Sequence, residues 1–278
     1  MDPLTLGLAA SGGTAIAGAW ISARYAWWRK TAPWKWPRIL MYHMVCPHRP
    51  GGRFNGLRVD PKLFDAQIRW LREDGWTFLT MRDVTKSWGT TPEKSVVITF
   101  DDGYADNLLA ALPILSRYDA HATLYLVHNR FGTDWSVKKK AHHTGNELGE
   151  EPKLTDGQVR DMLESGRIEL GSHTLSHPNF SRLNDKEKRE ELTASKQALE
   201  HAFQVPVTSF AYPFGIYMQG DETLVKEAGY SNAVTTDTGI DCTPTPKFHR
   251  LKRIKIGGKE SLSAFRLRLR TGWRAWNK

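Results

Sequence analysis

The sequence predicts an α/β protein built on a parallel sheet, either open or closed into a barrel. Three observations predict it. Short runs of Val, Ile, Leu and aromatic residues recur from Pro37 onward, stretches of helical spacing separate them, and most runs are continuously apolar. Continuous runs suit strands covered on both faces, and strand–helix alternation implies parallel pairing. At 278 residues, with 25% charged and 40% apolar types, the chain can bury one large core.

The candidate strands, in order, are 38–43 (RILMYH), 96–100 (VVITF), 122–127 (ATLYLV), 168–171 (IELG), 207–212 (VTSFAY), 232–236 (NAVTT) and 251–256 (LKRIKI). Between them, Asp60-Pro61 opens a helix that carries Phe64, Ile68 and Leu71 at spacings of four and three and stops at Gly75. A second helix runs from Tyr104 to Arg117. The longest, from Asp185 to Phe203, is charged outside with Leu192 and Leu199 inside. There are no internal repeats. The polar stretch 129–152 breaks the rhythm and reads as an inserted loop near the site, its His142 and His143 as solvated loop histidines.

The ends have a different character. Pro3 to Ala23 carries no charge, and Arg24, Arg29 and Lys30 follow it among Tyr25, Trp27, Trp28, Trp34 and Trp36. Residues 1–36 therefore read as a membrane anchor or interfacial helix with its linker, and the positive flank favours a cytoplasmic main domain. At the other end, 259–278 reads as a basic amphipathic helix in which Arg266, Arg268, Arg270, Arg274 and Lys278 interleave with Leu267, Leu269, Trp273 and Trp276. The net charge is +9, from 39 Lys plus Arg against 30 Asp plus Glu. No nucleic-acid module accompanies it, so a membrane surface is favoured over DNA or RNA as partner. Two cysteines, Cys46 and Cys242, exclude a disulfide framework and a Cys-rich zinc ribbon, while a single bridge between them stays open.

Chemistry concentrates at two strand ends. The run VVITF ends at Asp101-Asp102-Gly103-Tyr104, and adjacent carboxylates repel each other unless a cation relieves them. Taken alone, the dipeptide reads rather as a solvated helix cap. The run IELG is followed by Ser172-His173-Thr174-Leu175-Ser176-His177-Pro178. Histidines at i and i+4 on a helical turn share one face and can both donate to one ion. One carboxylate and two imidazoles leave a coordination position open to water, as a catalytic metal site requires.

With TFDDG (Thr99 to Gly103) and SHTLSHP (Ser172 to Pro178) in this order, the chain resembles the NodB-type polysaccharide deacetylases, carbohydrate esterase family four, over 37–258. The resemblance implies a distorted (β/α)₇ barrel, a divalent metal and hydrolysis of N-acetyl groups on amino sugars. It implies Asp101 as general base and Asp102, His173 and His177 as metal ligands, for Zn²⁺ above Co²⁺, Ni²⁺ or Mn²⁺. Tyr104, Tyr212, Pro213 and Phe214 are its substrate-side candidates. Two departures stand out. Ala211 occupies the place of the arginine that pairs with the base in the family, with Arg253 as a candidate replacement, and the late Leu-x-His motif has only His249, in Phe-His-Arg. The end of the first run, Met41-Tyr42-His43-Met44-Val45, resembles the poly-N-acetylglucosamine deacetylase branch, which implies His43 as general acid. The expected substrate is an N-acetylated amino-sugar polymer of the bacterial cell envelope. The alternatives are deacetylation or deformylation of a polyprenyl-linked sugar at the inner membrane face, and an inactive carbohydrate-binding relative.

Overall fold

A computed structural model describes residues 27–135 and 146–273. The apolar run 3–23, His142, His143, Arg274 and Lys278 lie outside them. Among the described residues there are eight strands, all paired in parallel: β1 (Arg38–Tyr42), β2 (Thr77–Leu79), β3 (Ser95–Asp102), β4 (Ala122–Leu126), β5 (Ile168–Ser172), β6 (Ser209–Ala211), β7 (Asn232–Thr238) and β8 (Leu251–Lys255). Because β1 pairs with both β3 and β8, seven strands close into a barrel and the open-sheet alternative falls away. The short β2 pairs with Ser95–Val97 of β3, directly before the stretch Ile98–Asp102 that pairs with β4. The ring is thinnest where β5 meets β6, through Ser172 and Phe210 alone, so the barrel is distorted.

The seven predicted runs are the seven strands of the ring, with 207–212 trimmed to Ser209–Ala211. The eighth strand, Thr-Phe-Leu, is too short to show a pattern. Strand alternation sorts the barrel into two layers. Outward residues such as Leu40, Val96, Ile98, Phe100, Leu124, Leu170 and Phe210 join the helices in one large core. Inward residues include Ile39, Val97, Tyr125, Ala211 and Val234, but also a buried polar chain. In that chain Tyr125 Oη and Ser209 Oγ are 2.6 Å apart, Ser209 Oγ donates to Asn232 Oδ1 at 2.6 Å, and Thr123 Oγ1 donates to Glu169 Oε2 at 2.8 Å. Gly171 faces inward, where a Cβ would stand 2.6 Å from the Tyr125 ring, so the position needs glycine.

Helices wrap the outside: α1 (Pro61–Glu73), α2 (Met81–Lys86), α3 (Leu112–Arg117, continuing a π-turn over Asn107–Ala111), α4 (Asp156–Glu164), α5 (Asp185–Phe203), α6 (Asp221–Glu227) and α7 (Leu262–Thr271). Asp60 caps α1 by accepting from the Lys62 N–H, and Phe64, Ile68 and Leu71 are buried as their spacing predicts. In α5 the capping box is Asn184 with Glu187, and Leu192 and Leu199 point inward. Within the predicted basic end, α7 buries Ala264, Phe265 and Leu269 against the domain, with Phe265 edge-on to Trp70 of α1. Cys46 and Cys242 are both free. No helix among the described residues is long and apolar enough to cross a membrane.

Candidate active site

Asp101 and Asp102 end β3 at the mouth formed by the C-terminal ends of the strands, where α/β barrels assemble their sites. Alternation points Asp101 into the barrel, beside the inward Thr99. There Arg253 of β8 meets it with a two-pronged ion pair, Nη1 to Oδ1 and Nη2 to Oδ2 both at 2.7 Å. The guanidinium is itself fixed, donating Nε to the Thr235 carbonyl at 2.9 Å and Nη1 to Thr99 Oγ1 at 2.9 Å. Burial raises the Asp101 pKa, but Arg253 overrides it and holds the carboxyl below its ordinary value. A cation thus reaches Asp101 from β8, while Ala211 on β6 leaves room.

Asp102 leaves the strand with φ +79°, and Gly103 follows with φ +80°, turning the chain sharply. A Cβ at Gly103 would collide with the Leu126 side chain. The turn aims Asp102 at two imidazoles: His173 Nε2 is 3.4 Å and His177 Nε2 3.5 Å from Asp102 Oδ1. These gaps are long for hydrogen bonds. They match a shared ion, since two ligand atoms about 2.1 Å from a tetrahedral metal stand about 3.4 Å apart. His173 Nδ1–H donates to the Ala211 carbonyl at 2.7 Å, which leaves the Nε2 lone pair able to ligate an ion. All three residues are buried, and their donor atoms lie within 4.8 Å of one another. The donor set therefore fits a divalent metal.

The histidines do not sit on a helical turn. Residues 173–179 form a loop in which Thr174 has φ +74° and His177 φ +54°, conformations that a β-branched residue reaches only when its surroundings impose them. Glu191 of α5 braces the loop between these two residues, while His177 N–H donates to Thr174 Oγ1 at 2.9 Å. The Glu191 carboxylate accepts from the backbone N–H of Leu175 and Ser176, both at 2.9 Å, and from Ser176 Oγ at 2.6 Å.

His43 follows β1 at the same mouth, close enough to Asp102 and Asp101 that both raise its pKa. Burial outweighs them, with Lys255 and Arg253 acting in the same direction as burial, and the net shift is downward. Its backbone is held by residues that the sequence reading missed. Asn107 Nδ2 donates to the His43 carbonyl at 2.9 Å, and Asp106 Oδ1 accepts from Val45 N–H at 2.9 Å. These two residues open the π-turn that follows the carboxylates, a form of helix frequent at functional sites. His249 is engaged elsewhere, its Nε2 2.9 Å from the Tyr230 carbonyl oxygen.

The aromatic candidates divide. Phe214, half-buried with φ +58°, packs its ring 4.5 Å from that of His177. Pro213 is buried beside it. Tyr212 is a correction: since Ala211 faces inward, Tyr212 faces outward. It is fully buried among Phe180, Phe210 and Tyr217, with its hydroxyl donating to the His249 carbonyl at 3.0 Å. Tyr104 is buried next to Asp102, with Lys153 Nζ 4.4 Å from its ring centre. Burial lowers the Lys153 pKa to about 8 despite the pull of Asp102 and Glu151. The unforeseen aromatic is Trp135, 5.1 Å from His177, which no motif or periodicity marks.

A closed parallel barrel carries at its mouth an Asp-His-His cluster that could hold a metal ion, beside a separately held carboxylate. The polysaccharide deacetylase family profile matches residues 89–233, and the chain belongs to that family. It is 31% identical over 243 residues, 86% of this chain and 78% of the relative, to YxkH of Bacillus subtilis (strain 168), which bears a polysaccharide deacetylase name. It is 25% identical over 209 residues, 71% of this chain and 67% of the relative, to the poly-beta-1,6-N-acetyl-D-glucosamine N-deacetylase of Staphylococcus aureus (strain MRSA252). In structure it resembles the Streptococcus pyogenes deacetylase PplD solved with acetate, with a TM-score of 0.69 and 26% identity over 83% of this chain and 96% of that one. The protein is accordingly an enzyme that hydrolyses amide bonds of a polysaccharide.

Proposed function

We propose that the protein removes N-acetyl groups from amino sugars of the N-acetylglucosamine type in a cell-envelope polymer. The observation that carries this is the convergence of Asp102, His173 and His177 beside the Arg253-held Asp101. The name of the staphylococcal relative supports the choice of sugar. Asp102, His173 and His177 would hold a divalent ion, Zn²⁺ above Co²⁺, Ni²⁺ or Mn²⁺ given two imidazoles and one carboxylate. When bound, such an ion polarises the acetamide carbonyl and makes a water molecule more acidic.

The chain's own residues supply the rest. Asp101, kept ionised by Arg253, accepts the proton of the attacking water. His43 gives a proton to the sugar nitrogen as the C–N bond breaks, so that a neutral amine departs and acetate remains. The lowered pKa of His43 makes its imidazolium the stronger donor. Phe214 and Trp135 brace His177 from two sides and exclude water around it.

The test is metal analysis of the purified protein together with acetate release from N-acetylglucosamine oligomers. Bound metal with acetate release is expected, and an inactive carbohydrate-binding relative would give neither. A metal-loaded protein that releases no acetate from N-acetylated oligomers would overturn the reading.

A further inference from the structure

The barrel has two faces, and both chain ends leave from the one opposite the site. Arg38, the first residue of β1, is buried and gathers the ends: Nη2 donates to the Ala32 carbonyl at 2.7 Å, Nη1 to Pro33 at 2.8 Å, and Nε to Leu269 of α7 at 3.0 Å. Ala32 N–H donates to the Arg270 carbonyl at 2.8 Å, and Lys94 N–H, just before β3, donates to Trp34 at 3.1 Å. These are strand starts, whereas Asp101, Asp102 and His43 stand at strand ends. Beyond this junction the guanidinium of Arg29 lies 3.6 Å from the Trp273 ring centre. Trp27, Trp28 and Trp273 are exposed there, by 59%, 61% and 38%.

This aromatic patch carries positive charge and no nearby acid along the chain. No Asp or Glu occurs between Asp2 and Asp60, nor after Glu260, whereas Arg29, Lys30, Lys35, Arg266 and Arg270 flank the tryptophans. The uncharged run from Pro3 to Ala23 directly precedes the patch in sequence. Tryptophans with arginines and lysines beside a long apolar run are the composition of a bilayer interface, and the charge complements anionic headgroups.

We propose that this face lies on an anionic lipid surface and that the catalytic mouth is turned away from it. The proposal deepens the reading of the site above, and its consequence is a choice of substrate. The eight residues of β3 set the mouth about 20 Å above the strand starts after allowing for strand tilt. A sugar on a polyprenyl phosphate stays at headgroup level and does not reach a mouth so placed. A polymer extending into the aqueous phase does.

The full chain is tested on vesicles of phosphatidylcholine alone and of phosphatidylcholine with phosphatidylglycerol. Flotation is expected to show at least tenfold tighter binding to the anionic vesicles, reduced several-fold by Trp27→Ser, Trp28→Ser and Trp273→Ser together. A fluorophore on native Cys242, near enough to Arg38 to feel its charge, is expected to be quenched by spin-labelled headgroups. One on Met218→Cys, in the exposed loop after β6 at the mouth, is not, with the other native cysteines replaced by serine in each case. Stronger quenching at Met218 than at Cys242, or equal binding to both vesicle types, would overturn the proposal. Neither readout involves catalysis, so failure here is distinct from failure of the deacetylase reading.

Discussion

Arg253 reaches Asp101 from a strand far along the chain, and the pair is buried on both sides, with 0% and 3% side-chain exposure. Removing one partner of such a pair strands the other charge, so Arg253→Met is expected to cost about 3–5 kcal/mol by denaturant unfolding. The pH dependence follows from the lowered Asp101 pKa. That carboxylate contributes stability above its ordinary, unfolded-state value, and the contribution is lost as pH falls through the lowered folded value. In Arg253→Met burial is opposed only by the weaker pull of His173 and His43, so the acid limb of the activity profile should move to higher pH. An unmoved limb would show that Asp101 does not set it. Asp101→Asn should lower the acetate-release rate by about 10²–10⁴ with metal content unchanged. Asn107→Ala tests the proposed acid differently, because Asn107 holds His43 through its backbone carbonyl. Its kcat should fall far more on an N-acetyl sugar, whose amine leaves poorly, than on 4-nitrophenyl acetate, whose phenolate needs no proton. Equal losses on both substrates would mean a general structural defect. The two acids and two histidines were legible as motifs, and Arg253 as a candidate. Asn107, Trp135 and Glu191 were not, because their roles rest on contacts across the fold that leave no local pattern.

At the scale of elements, the loop after β5 shows where pattern reading stops. The spacing of His173 and His177 suggested a helical turn, yet the loop holds Thr174 and His177 at positive φ. The carboxylate of α5 supports that conformation by taking up the N–H groups of Leu175 and Ser176. Glu191→Ala is therefore expected to weaken metal affinity about 10–100-fold while α5 stays helical, measured by competition with a chromophoric chelator. Unchanged affinity would show that the loop holds its shape without Glu191. Strands followed the same division. Runs of five or more buried, mostly apolar residues, such as those in β1, β3 and β4, declared themselves. The three residues of β2 did not, and the polar inward positions Thr123, Glu169, Ser209 and Asn232 were concealed by their apolar outward neighbours.

For the whole molecule, the sequence left an open sheet and a barrel equally available until the motifs brought in a family. Closure depends on β1 pairing with β3 on one side and β8 on the other, across most of the chain, and no local signal specifies it. Once closed, the barrel owes its shape to two buried layers and a ring of parallel strands rather than to Asp102, His173 and His177, which sit at its rim. The domain should therefore keep its fold without a metal. Dialysis against a chelator is expected to abolish acetate release and leave the far-UV circular dichroism unchanged. Restoring Zn²⁺ to about 100 times its dissociation constant should stabilise the fold by about 2.7 kcal/mol, equivalent to about 5–10 °C in melting temperature for a domain of this size. Collapse of the dichroism on chelation would make the metal part of the fold. An unmoved melting temperature would show that the three residues bind no ion, and the mechanism built on them would fall with it.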